Sequence, residues 1–274
     1  MSFLTKLFAR IFPGAARATA SYRRDIPAAL LGNETNWRMA REMLARLETA
    51  GLRIRPGLDR DLIVFRFLLS VEYWCEGDDL AAWAAETKNS FDIIGFWNLA
   101  RETDAFHGLE DIGAVAPKLA FLDPDAMDAM LEAHRFSIFE NAAAICFINE
   151  HFPGQYAPEH VEAFMALAVG DLSIQDVTET RGEGEEELVG RVTLADGRTE
   201  SFTMRAEKRP DPTPLFETMN AIAALQGAGR FIAVVSAGED LIVVRLQPEE
   251  KIAFRAWADR QYCAAGPLPV DWFD

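Results

Sequence analysis

The sequence predicts an α+β protein, with a helical N-terminal two-thirds followed by a mostly antiparallel sheet with covering helices. Two observations carry that expectation. Up to about residue 170, apolar residues recur at helical spacing between capping residues and Gly or Pro stops. Beyond it they alternate, or run in short blocks between tight-turn dipeptides. The implied organisation is a basic amphipathic segment, 1–24, a helical domain, 25–170, and an α+β domain, 171–274.

In "MSFLTKLFARIFPG" the apolar residues Phe3, Leu4, Leu7, Phe8, Ile11 and Phe12 share one helical face, and Lys6 and Arg10 take the other. Pro13-Gly14 stops that helix. The charges interrupt the run, so it is neither a membrane span nor a signal-peptide core. Three readings are open: packing on its own domain or a sister subunit, weak contact with an anionic membrane surface, or an organelle presequence.

"NETNWRMAREMLARLETAG" reads as a helix capped at Asn33 and stopped at Gly51, with Trp37, Ala40, Leu44 and Leu47 on one face. "LDRDLIVFRFLLSVEYWCEGDDLAAWAAETKN" gives two helices broken near Gly77, and "SFDIIGFWNLARETDAFH" a further one capped at Ser90. Asp123-Pro124 opens a long helix through "FENAAAICFINEHF", whose apolar middle predicts a central buried element. Pro153-Gly154 ends it, and "APEHVEAFMALAVG" adds a short helix.

From Gly170 the expected order is β-β-β-α-β-β-α. "RVTLADGRTESFTM" alternates on both sides of Asp196-Gly197, a favoured hairpin turn. "TPLFETMNAIAALQ" is a helix with Pro214 near its start. "RFIAVVS" and "LIVVRL" are strands joined through Gly238-Glu239-Asp240, and "QPEEKIAFRAWADRQYC" is a terminal helix led by Pro248. The tail Asp271-Trp272-Phe273-Asp274 is expected to dock on its own domain.

The chain has 274 residues, half of them hydrophobic and 11% aromatic, enough for a substantial core. Its formal net charge is −16. Residues 1–24 hold five bases and no acid, so the rest carries 22 bases and 43 acids, or −21. Such a surface repels phosphate backbones, so nucleic acid is not an expected partner, whereas a basic protein is matched by charge. Cys75, Cys146 and Cys263 are scattered and form no CxxC pair, which fits a reducing cytoplasm.

Tests for chemistry return no catalytic, cofactor or metal assignment. The histidines are His107, His134, His151 and His160. Asp104-x-x-His107 with Glu102 and Glu110 makes half of a di-iron pattern, and no HExxH occurs. Glu207 directly precedes Lys208, so the Glu-x-Lys spacing of magnesium nucleases fails. No GxSxG, Walker or GxGxxG motif is present, and Cys146 and His151 do not share a helix face. The expected partner-contact residues are acids at turns: Asp78, Asp79, Glu185, Glu186, Glu239 and Asp240.

"LFETMNAIAALQGAGRFIAVVSAGEDLIVVRLQPEEKIAFRAWA" resembles the tail of small bacterial α+β proteins that serve as immunity proteins beside secreted polymorphic toxins. The shared pattern is a helix, an Arg-Phe strand, a Gly-acid turn, an apolar strand and a Pro-Glu-Glu helix, over about a third of the chain. Gly238-Glu239-Asp240 stands where that pattern has Gly-Gly-acid. The resemblance implies a cytoplasmic, non-enzymatic inhibitor that binds a cognate toxin. Two other classes stay open: an enzyme with a carboxylate and histidine site among the helices, and a membrane-surface adaptor using the first twelve residues.

Overall fold

The computed structural model describes residues 31–71, 80–86, 91–101, 137–147, 154–183, 187–207, 210–235, 240–263 and 266–272. The protein is α+β, and its contacts gather into two units: residues 1–140 with 253–268, and residues 141–252 with 269–274.

In the first unit, helix α1 (Glu34–Thr49) starts as expected. Asn33 is extended, and its side chain accepts from Thr35 N at 2.9 Å. Gly51 follows the helix with φ 96°, a conformation a side chain would resist. Helix α2 (Arg60–Val71) is capped by Asp59, whose Oδ1 accepts from Asp61 N and Leu62 N. Helices α3 (Leu80–Glu86) and α4 (Phe91–Ala100) complete the described helices before residue 101. Arg46 on α1 grips the half-turned-in carboxylate of Asp92 on α4 through Nε and Nη2 at 2.7–3.1 Å, the bidentate geometry that fixes orientation. Phe96 packs edge-on against Phe254 and Trp257, with ring centroids 6.2 and 5.7 Å away.

The second unit holds two antiparallel sheets. Strands β2 (Ile174–Arg181), β3 (Glu187–Leu194) and β4 (Thr199–Arg205) form one, in that order. The other runs β1-β6-β5-β9, from β1 (Ala142–Cys146), β5 (Arg230–Val235), β6 (Asp240–Leu246) and β9 (Val270–Asp271). Helices α5 (Tyr156–Ala168) and α6 (Thr213–Gln226) enclose the core with them, through Phe164, Phe216, Phe231, Val192 and Phe202. Helix α7 (Pro248–Ala258) follows β6, and a short hairpin of β7 (Tyr262–Cys263) and β8 (Gly266–Pro267) belongs to the first unit.

The Asp196-Gly197 hairpin is present. β3 and β4 pair from Thr193↔Thr199 to Glu187↔Arg205, Gly197 has φ 85°, and Arg198 binds Asp196. "RFIAVV" and "LIVVRL" pair antiparallel from Arg230↔Leu246 to Val235↔Leu241. Ile232, Val234, Ile242 and Val244 on one face are buried, as are Phe231, Ala233 and Val243 on the other, so these runs are apolar without alternation.

Two expectations are corrected. The long helix expected from Asp123-Pro124 through residue 152 does not extend over "NAAAIC": Ala142–Cys146 is strand β1, registered on β6 from Ala142↔Val244 to Cys146↔Asp240. The rest of that expected helix, before Ser137 and after Phe147, lies outside the described residues. The single expected sheet is two sheets, and one recruits β1 from the part read as helical. The tail does dock in part, since Val270 and Asp271 pair with Val234 and Ala233.

Candidate functional site

Two groups of polar side chains inside the second unit lie at the two ends of α5. At its start, Gln155 makes no side-chain cap. Glu179 of β2 supplies one instead: Oε1 accepts from Gly154 N at 2.8 Å and Oε2 from Ala157 N at 2.7 Å. A carboxylate here satisfies orphan donors and meets the positive end of the helix dipole. Glu179 reaches inward because it lies opposite Gly190, on the covered side of the sheet, beside Phe202.

One turn on, His160 stacks on Tyr156, with centroids 4.0 Å apart and planes at 28°. Phe147, just past β1, lies 4.9 Å from the imidazole at 30°. The ring nitrogens meet two carbonyls: Nδ1 is 2.7 Å from Tyr156 O and Nε2 is 2.9 Å from Cys146 O. His160 is 3% exposed and Tyr156 1%. The buried Tyr156 hydroxyl finds no hydrogen-bond partner among the described residues. Burial pushes its pKa well above the usual phenol value, and Cys146, Glu179 and Asp211 add to that, so it stays a neutral phenol.

At the far end of α5, Arg245 of β6 is buried. Its Nε donates to Ala228 O at 2.6 Å, its Nη1 to Ala168 O at 2.9 Å, and its Nη2 pairs with Asp171. Ala168 O, in the last turn of α5, has no donor within the helix and accepts from both Arg245 and the Asp171 backbone N–H. Val169, the C-cap, is left-handed at φ 49°, which is costly for a β-branched residue.

A third feature is the uncovered face of β2-β3-β4. Registered rows there hold Thr178, Arg191 and Ser201, then Thr180, Val189 and Thr203. All but the half-buried Val189 are exposed.

Of the acids expected to meet a partner, Asp240 opens β6 opposite Cys146. Asp78, Asp79, Glu185, Glu186 and Glu239 lie outside the described residues, as do Phe3, Leu4, Leu7, Phe8, Ile11 and Phe12. His107, His134 and His151 are outside them too. Among the described residues, no group of three or more His, Cys, Asp or Glu side chains could hold a metal ion. None of the described helices is long and apolar enough to cross a membrane. No sequence pattern marks the Glu179 cap or the contact between His160 and Cys146. The first joins residues 22 apart across two elements, and the second depends on β1 being a strand.

No protein-family model, no curated protein and no solved structure matches the chain.

Proposed function

We propose that this protein acts by binding, as a cytoplasmic immunity protein that neutralises a basic toxin. The observation that carries this reading is the sequence pattern from Leu215 to Ala258, in which a helix, two apolar strands with an acidic turn, and a Pro-Glu-Glu helix follow in order. The arrangement α6-β5-β6-α7 supports it by giving the helix, the two apolar strands and the Pro-Glu-Glu helix of that pattern their elements. The charge of −16 supports it as well, because a strongly acidic surface speeds encounter with a basic partner. Asp240 begins β6, and Glu239 precedes it in the chain.

The test is kinetic binding to a secreted toxin encoded beside this gene, with the double variant Glu239→Lys, Asp240→Lys. Association should slow more than dissociation accelerates. The difference should shrink as salt rises, since exposed charges are screened over about 8 Å at physiological ionic strength. No binding to the neighbouring product would sink the immunity reading. Binding with unchanged association would move the interface away from these two acids.

A further inference from the structure

Both ring nitrogens of His160 face backbone carbonyls, Tyr156 O at 2.7 Å and Cys146 O at 2.9 Å. A carbonyl only accepts. A neutral imidazole has one N–H and one lone pair, so it satisfies one of these oxygens and turns a lone pair on the other. The imidazolium alone donates to both. The rings of Tyr156 and Phe147 lie 4.0 and 4.9 Å from the imidazole, at 28° and 30° to its plane, and aromatic faces attract a cation.

We propose that His160 is held as a buried imidazolium and works as a proton-dependent clamp between strand β1 and helix α5. β1 is an edge strand of its sheet, paired on one side with β6, and the clamp grips its last residue. While the ring is charged, one charge-assisted hydrogen bond, from Nε2 to Cys146 O, ties the end of β1 to α5, and a second, from Nδ1 to Tyr156 O, holds the ring on its own helix. When it loses its proton, the one N–H that remains stays at Nδ1, on the shorter contact to Tyr156 O, so Nε2 turns a lone pair on Cys146 O and the Cys146 end of β1 loosens. The clamp is therefore complete at low pH and lost as pH rises through the folded-state titration of the ring.

The surrounding charges decide whether the proton stays. On α5, Tyr156 is neutral and Glu159 precedes the histidine. β1 brings Cys146, β2 brings Glu179, and Asp211 stands ahead of α6. β6 brings Arg245 at the far end of the helix, against Ala168. Apart from Arg245, these groups are acidic or neutral, and they favour a cation. Burial and the positive end of the α5 dipole oppose it. Two carbonyl acceptors and two aromatic faces outweigh that opposition, since a neutral ring would leave one close oxygen contact repulsive.

The experiment is nitrogen NMR of the full chain labelled at histidine, followed over pH. His160→Gln assigns the signal by subtraction; if that variant does not fold, His107→Gln, His134→Gln and His151→Gln assign it by elimination. At about pH 7, above the ordinary histidine value of about 6.5, both ring nitrogens of His160 should read as protonated. A neutral tautomer there overturns the proposal. Hydrogen exchange of the β1 amides, corrected for its intrinsic pH dependence, gives the second reading. Opening of β1 should rise by at least about tenfold once the ring deprotonates, as loss of one charge-assisted hydrogen bond implies. β3 and β4 should not follow. Opening of β1 that is flat through the ring's titration would also overturn it.

Discussion

The ring of Phe202 on β4 lies over Gly190 on β3, in the space a side chain would fill. A Cβ built on Gly190 would stand 2.2 Å from the tip of the ring. The two residues are directly paired in the register, and Phe202 is buried in the core of its unit. An aromatic ring covering a strand glycine restores the apolar contact that the glycine itself lacks.

Gly190→Ala should therefore destabilise the second unit, although alanine suits a strand better than glycine does. The ring is hemmed in and must shift off its rotamer, an overpacking cost of about 1–3 kcal/mol. A denaturant titration reporting on this unit should show a lower midpoint. The double variant Gly190→Ala, Phe202→Leu should recover part of the loss, because it removes the clash. An unchanged midpoint in the single variant would mean that the ring does not sit on this glycine.

Glu179 caps a helix from a neighbouring strand, so its loss should be felt in α5. Glu179→Ala removes the acceptor for Gly154 N and Ala157 N and should cost about 1 kcal/mol, the usual worth of a cap. Glu179→Gln keeps one acceptor oxygen and should cost less. Amide exchange at Ala157 should quicken in the alanine variant. Equal effects of Ala and Gln would show that shape, and not the oxygen atoms, matters there.

The hairpin tip carries a small acid-sensitive contribution. The Arg198 guanidinium hydrogen-bonds Asp196 and holds its carboxyl below the usual carboxylate range, with the Arg198 backbone N–H adding to the effect. A lowered folded value gives stability that is present above the unfolded carboxylate value and lost as pH falls through the folded one. The group is fully exposed, so the contribution is slight. Carbon NMR should show Asp196 titrating below an ordinary aspartate, and Arg198→Ala should return it towards that value. No movement in the variant would remove Arg198 as the cause.

This hairpin was legible in the sequence because everything that makes it is local. Asp-Gly sets the turn, and the alternation of Val192 and Leu194 with polar neighbours sets the face. Asn33 was legible as a cap for the same reason. β1 was not. "AAAIC" is rich in alanine, the best helix former, and nothing nearby contradicts a helix. Its strand conformation comes from pairing with Val244 and its neighbours about a hundred residues later, which local propensity does not register. Read as helix, the segment sets Cys146 five residues before His151 and off its face, and gives no sign of the contact with His160. The candidate site was hidden by the same error.

Arg245 and Asp171 form an ion pair whose partners are unequally placed, and mutation should expose the inequality. Arg245 is 3% exposed along its side chain, while Asp171 is 54% exposed. Removing Asp171 leaves the guanidinium with its carbonyl acceptors, Ala168 O and Ala228 O, and water can reach the vacated side. Asp171→Asn should thus cost no more than an exposed pair does, about 0–1 kcal/mol. Arg245→Met is different. It strips donors from carbonyls at the end of α5 and beside β5, in a buried place where water does not replace them. Ala168 O keeps the Asp171 N–H, so the acceptor left unpaired is Ala228 O, at a cost of about 1–3 kcal/mol, and this variant should lose more than the aspartate variant loses. Lysine is no substitute, because a single ammonium cannot span acceptors that the planar guanidinium reaches at separate nitrogens. Urea titrations of the three variants give the comparison. Similar losses for Asp171→Asn and Arg245→Met would show that the ion pair, and not the carbonyl clamp, holds α5 to β6.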